Sequence, residues 1–150
     1  MGKHTVQRYM TIGPIVISSG RTIADAHGLM RERGIRHLPV VDDGKLVGML
    51  SQRDLYLVET LKGIDPSAER VREAMSADPY SVAPDAPIDV VAEAMAARKL
   101  GSAVVVDRGA VIGVFTTVDA LRALSAIVRR RRDRQAGERE AAHPRDPTGA

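Results

Sequence analysis

The sequence contains no cysteine and no tryptophan, and only four aromatic residues, three tyrosines and one phenylalanine. Without cysteine there is no disulfide, no thiolate metal site and no cysteine nucleophile. The four histidines, His4, His27, His37 and His143, have no spacing that would assemble a metal site. So few aromatics leave almost no platform on which single-stranded bases could stack. No apolar run approaches the roughly 18–20 residues that a membrane span requires, and the N-terminus shows no apolar signal-peptide segment. Phosphate-binding loop, dinucleotide fingerprint and nucleophile elbow are all missing. These absences lead us to expect a cytoplasmic protein that is not an enzyme, has no catalytic residues and requires no cofactor.

What is present suits a compact core. The 150 residues are 44% hydrophobic and 27% charged, enough for one domain or two small halves packed together. The isoelectric point near 9.6 is a property of one end. From Arg129 onward seven arginines face four acids, a net of +3 that equals the formal charge of the whole chain.

Residues 34–54 organise the rest. Two apolar runs, Leu38-Pro39-Val40-Val41 and Leu46-Val47-Gly48-Met49-Leu50, flank Asp42-Asp43-Gly44, a strong hairpin signal. The aspartates there are read as turn chemistry, not as an acid–base pair. Ser51-Gln52-Arg53-Asp54 then opens a segment of helical periodicity, so a strand delivers Ser51 and Asp54 to a helix start. The arrangement returns at Gly113 to Asp119. Gly44 and Gly109, Gly48 and Gly113, Ser51 and Thr116, and Asp54 and Asp119 are each 65 residues apart. Met10 and Met75, Pro14 and Pro79, Ile23 and Ile88, Met30 and Met95, and Arg33 and Arg98 keep the same offset without a gap. The chain is a tandem duplication. Its methionines at apolar positions read as core filler.

The element order in each copy is strand, helix, strand, strand, helix, which gives an α/β fold. The first copy has a short strand at Ile15-Val16-Ile17, a helix capped by Thr22 and ended by Gly34, the hairpin, and a helix from Gln52 to about Leu61. Its counterparts are Ser81-Val82, a helix over 87–98, a second hairpin over 102–115 and a last helix from Val118 to about Arg132. Residues 1–8 read as frayed or a loose first helix, and 68–75 as a short helix. Copies of this size are near the lower limit for an independent core, so the halves are expected to bury their apolar faces together.

Met-Thr or Met-Ser, then Pro, then a helix running into Arg33-Gly34-Ile35-Arg36, then His37-Leu38-Pro39-Val40-Val41-Asp42, then Gly-x-x-Ser/Thr-x-x-Asp resembles the CBS domain. Two copies in register resemble a Bateman module, and the resemblance covers residues 6–124. It implies two repeats, 6–62 and 71–128, joined by a linker at 63–70 and packed about a pseudo-two-fold axis. Residues 129–150 are expected to form a basic, disordered tail.

Ser51-x-x-Asp54 and Thr116-x-x-Asp119 admit two readings. Each is a capping box that stabilises a helix start. Each also places a carboxylate that accepts ribose hydroxyls beside a helix N-terminus that favours phosphate. Arg36 and His37 suit phosphate oxygens, whereas their repeat-related positions are Gly101 and Ser102. The resemblance implies ligand clefts that pair the pocket side of one half with the Ser/Thr-x-x-Asp of the other. The first would combine Thr22, Ile35, Arg36 and His37 with Val114, Thr116 and Asp119. The second would combine Pro87, Leu100, Gly101 and Ser102 with Met49, Ser51, Arg53 and Asp54. Only the first has phosphate ligands on its pocket side, so it is expected to bind phosphorylated adenosine more tightly, and less tightly as pH rises past His37.

The implied function is regulatory: sensing AMP, ADP, ATP or S-adenosylmethionine and signalling through a protein partner or a disc-like homodimer. The alternative is a structural or nucleic-acid-binding dimer with idle clefts, working through the basic run at 129–134. That run also complements the C-terminal dipole of a helix, and nucleic acid is the less favoured partner.

Overall fold

The computed structural model describes residues 4–142. In chain order the elements are α1 (Val6–Tyr9), β1 (Thr11–Ile12), α2 (Ile23–Arg33), β2 (His37–Asp42), β3 (Lys45–Ser51), α3 (Gln52–Glu59), α4 (Val71–Ala74), β4 (Ser81–Val82), α5 (Ile88–Arg98), β5 (Ser102–Asp107), β6 (Ala110–Thr116) and α6 (Thr117–Ala142). The fold is α/β, with two halves built alike. Both hairpins turn through two residues of positive φ, Asp43-Gly44 and Arg108-Gly109, as a tight turn that follows the strand twist requires.

One half carries a four-stranded sheet in the order β1-β6-β5-β4. The other has β2 and β3, extended at both edges by single bridges, Ile17 to Val40 and Met49 to Ser76. Those bridges fall where β4 meets β5 (Val82 opposite Val105) and β1 meets β6 (Thr11 opposite Val114), shifted by one repeat. The expected strand at Ile15-Val16-Ile17 therefore shrinks to one bridge.

The sequence repeat is not the unit of packing. α1 and β1 lie on the second half, where Val6 is fully buried with Val91, Ala103, Val105 and Phe115. α4 lies on the first half, where Val71 is fully buried with Ile23, Leu38, Leu50 and Leu55. The same hydrogen bonds tie both exchanged segments down: Val6 N–H donates to the Ala86 carbonyl and Val71 N–H to the Arg21 carbonyl, at 2.9 and 2.8 Å. Residues 4–8 are thus docked, not frayed, and there are two cores instead of one shared core. Each half-sheet closes only by borrowing the other repeat's leading segment. Close approach makes this work: a Cβ on Gly48 would lie 2.6 Å from Met75 Sδ, and Met10 sits likewise over Gly113. These methionines fill the core over a bare backbone.

The short helix expected over 68–75 is confined to Val71–Ala74. The last helix runs further than expected, to Ala142, so residues 129–142 are helical and not disordered. Arg, Gln, Ala and Glu dominate this stretch, all good helix formers, and no proline interrupts it before Pro144. All of 129–142 is exposed. The remaining part of the expected tail, 143–150, lies outside the described residues, as does His143.

Candidate functional site

Both Ser/Thr-x-x-Asp motifs stand where a hairpin's second strand hands over to a helix. Thr116 ends β6, and Asp119 sits in the first turn of α6, 5% exposed. Asp119 Oδ2 accepts from the Thr116 N–H at 2.9 Å and the Thr116 hydroxyl at 3.1 Å, while Asp119 N–H donates back to Thr116 Oγ1 at 3.2 Å. Asp54 repeats the reciprocal pair: its Oδ2 accepts from the Ser51 N–H at 2.9 Å and its N–H donates to Ser51 Oγ at 3.1 Å. The capping reading therefore holds in both halves. It leaves the second carboxylate oxygen less engaged. Asp119 Oδ1 has only a long bond, 3.3 Å, from the Thr11 hydroxyl, and no described residue donates to Asp54 Oδ1.

Each motif borders a cavity whose other wall belongs to the opposite half. The first cavity, about 550 Å³, sets Ile15, Ile35 and Arg36 against Val114, Thr116 and Asp119. The second, about 790 Å³, sets Tyr80, Leu100 and Gly101 against Met49, Ser51 and Asp54. Every residue lining the first has its counterpart 65 positions away in the lining of the second. The two clefts are one site built twice. Ser102 and Arg53 border the second, as expected.

Two expected members lie elsewhere. Thr22 does not line the first cavity: it caps α2, accepting from Asp25 N–H at 3.1 Å, and bridges to Arg70. Pro87 precedes α5 and borders a separate apolar groove beside α6. The pocket wall comes instead from the segment before each first strand position, Pro14-Ile15 and Pro79-Tyr80. Pro14 and Pro79 were visible as repeat partners, but nothing in their spacing marks them as a wall. Thr11, Lys99 and Arg122 were also missed. Thr11 and its counterpart Ser76 arrive with the exchanged segments, which no local pattern announces.

The two clefts differ in detail at equivalent positions. Where the first has Ile15 the second has Tyr80, with the Arg98 guanidinium 5.1 Å from its ring centroid. Where α2 ends in Gly34, α5 ends in Lys99, held in the left-handed region at φ 55°. The second cleft thereby gains a cation at its mouth, as Arg122 supplies one to the first.

Arg36 and His37 stand on the seam and border both cavities. This removes the basis for ranking the first cleft as the tighter phosphate site, since the same guanidinium and imidazole face both. Burial lowers the His37 pKa below its ordinary 6.5; the nearby Asp54 charge raises it and Arg36 lowers it further. The imidazole is therefore neutral at pH 7 before any anion arrives, and its titration lies lower than the sequence alone led us to expect. Among the described residues no cluster of three or more histidine, aspartate or glutamate side chains could hold a metal ion. Nor is any helix there long and apolar enough to cross a membrane.

Comparison with known proteins matches this geometry. The CBS domain family model matches residues 6–58 and 71–126. The CBS domain-containing protein YhcV of Bacillus subtilis is 30% identical over 115 residues, covering 77% of this chain and 81% of YhcV. The chain also matches longer proteins with enzyme names, four of which it spans over at most 21% of their length. Among solved structures, the CBS domain pair of protein MJ0100 in complex with 5-methylthioadenosine and S-adenosyl-L-methionine superposes with a TM-score of 0.75 at 27% identity, over 81% of this chain and 96% of that one. CBSX2 in complex with AMP gives 0.75 at 26% identity, over 83% and 98%. With two matched domains, a shared fold and two clefts related by the same repeat, the chain belongs to the CBS-domain family as a tandem pair.

Proposed function

We propose that the protein is a cytoplasmic regulatory module that senses adenosine-containing ligands (AMP, ADP, ATP or S-adenosylmethionine) in its two clefts. The observation that carries this is the carboxylate at each strand-to-helix junction. Asp54 and Asp119 keep one oxygen in the capping box and leave the other weakly engaged, beside an apolar wall contributed by the opposite half. Vicinal ribose hydroxyls donate to such a carboxylate, adenine fills the apolar side, and phosphate meets Arg36 near the positive end of the helix dipole. The AMP and S-adenosyl-L-methionine complexes of the similar structures support the ligand class. A ligand that touches both halves favours whichever relative arrangement it fits better, which is a signal without catalysis.

The state is read by a partner or by a second copy of the chain. α3, the turn after it and α6 leave Tyr56, Leu57, Leu61, Leu121, Leu124 and Val128 at least half exposed, an apolar surface suited to pairing in a homodimer. Sedimentation would show a dimer, dispersed by Leu121→Glu with Leu124→Glu.

Calorimetric titration of the four ligands against wild type and Asp119→Asn tests the main reading. Binding weakened about tenfold or more in the variant supports it, the size expected for hydrogen bonds to a charged group. A folded wild type that binds none of them would leave Asp54 and Asp119 as helix caps alone.

A second reading rests on the exposed arginines 129–132 of α6, an extended cationic rod suited to nucleic acid. A chain ending at Val128 that keeps all polynucleotide affinity of the full chain would remove it.

A further inference from the structure

The seam between the clefts is lopsided. On one side stand the Arg36 guanidinium and the His37 imidazole; on the other, one repeat away, stand Gly101 and Ser102. A seam that obeyed the duplication would carry two basic pairs, one for each cleft. This one carries a single pair, and both cavities reach it. Arg36 is exposed and forms no ion pair with any described residue, so its long side chain is available to either side. Gly101 brings no charge to the seam, and the His37 ring fills the space a Cβ there would take. Gly101 and Thr117 also border both cavities and are joined, Thr117 N–H donating to the Gly101 carbonyl at 3.0 Å.

Resting on the adenosine reading above, we infer that Arg36, with His37 beside it, is one phosphate clamp shared by two clefts, so that the protein holds one polyphosphorylated nucleotide tightly at a time. The first ligand to bring phosphates to the seam takes the clamp. A second meets a seam already neutralised, with like charge facing it across a few side chains. The loss falls harder on the first cleft, which has Arg122 as its further cation, than on the second, which has Arg53 and Lys99. A ligand without phosphates does not compete for the clamp. The clefts therefore accept two adenosines independently, or one ATP beside one adenosine, and resist two ATP. Such a module reports the ratio of phosphorylated to unphosphorylated adenosine ligands, not the sum.

The test needs no variant to begin. Wild-type protein is titrated with adenosine and with ATP. We expect two adenosines with similar constants, and two ATP constants separated by about 5- to 150-fold, the usual span of site-to-site coupling. ATP is then titrated into Asp54→Asn and Asp119→Asn, each checked for folding by circular dichroism, with and without Arg36→Gln. Arg36 is exposed, so its replacement leaves the fold intact. A shared clamp makes the remaining cleft depend on Arg36 in both backgrounds, with about a tenfold or greater loss in each. Two equal and independent ATP sites in wild type would overturn the shared clamp while leaving the adenosine reading in place. So would dependence on Arg36 in one background alone. No binding of adenosine or ATP by folded wild type would overturn both.

Discussion

The His37 imidazole occupies the space that a side chain at position 101 would need: a Cβ on Gly101 would lie 2.7 Å from Nε2. Real side chains do not pack that closely, so the bulk of one residue depends on the bareness of the other. The dependence crosses the pseudo-two-fold axis and sits between the two clefts.

Gly101→Ala is therefore expected to push the ring of His37 aside and to cost about 1 kcal/mol. His37→Ser, which places the repeat-related residue there, should remove most of that cost. A double-mutant cycle by urea denaturation measures it. Additive effects of the two substitutions would mean that the ring moves away freely.

Burial holds the His37 pKa below 6.5, so the unfolded chain takes up a proton that the folded chain resists. The sign follows: stability should fall as pH drops through 6.5 towards the folded-state value, and be unaffected by this group well above 6.5. Urea midpoints between pH 7.5 and 5.5 test this, with His37→Gln losing the component due to this residue. A variant whose midpoint falls as steeply as wild type would assign the loss to other groups.

Lys99 ends α5 with φ 55° and ψ 44°, where Gly34 ends α2. A side chain in the left-handed region is strained by roughly 1–2 kcal/mol, offset in part by the extra freedom glycine loses on folding. Lys99→Gly should thus stabilise the protein by about 1 kcal/mol while weakening ATP binding to the second cleft. Thermal unfolding and titration together read both effects; a stabilised protein with unchanged affinity would remove Lys99 from the site.

Val71 belongs to the second repeat in sequence but to the first half's core in space. Val71→Ala should cost about 1–3 kcal/mol. By hydrogen exchange, protection should be lost at Ile23, Leu38 and Leu50 before Val104 and Phe115. Loss at the second set first would contradict the exchange of segments.

Much of the site was legible because duplication prints itself twice. The 65-residue offset located both carboxylates and both hydroxyl partners, and it exposed Arg36-His37 as a pair that the second copy does not repeat, since hairpin, turn and cap are all local in sequence. Thr22 and Pro87 were misplaced for the same reason that they were correctly read as helix starts: a cap is legible locally, whereas the wall it faces is not. Pro14-Ile15 and Pro79-Tyr80 line the clefts because the chain before each first strand position crosses the axis, and no periodicity encodes a crossing.

The amino-acid sequence by itself determined the α/β repeat, the hairpins, the helix starts and the membership of a family, because each depends on contacts among near neighbours. Tertiary structure decided the rest. It exchanged the leading segments of the two repeats, since each half-sheet lacks an edge that only the other copy supplies. It also brought Arg36 and His37 to a seam that borders both clefts. Two sites that look unequally equipped along the chain share the Arg36-His37 pair in space, because a pseudo-two-fold axis places residues near it beside both of the sites it relates.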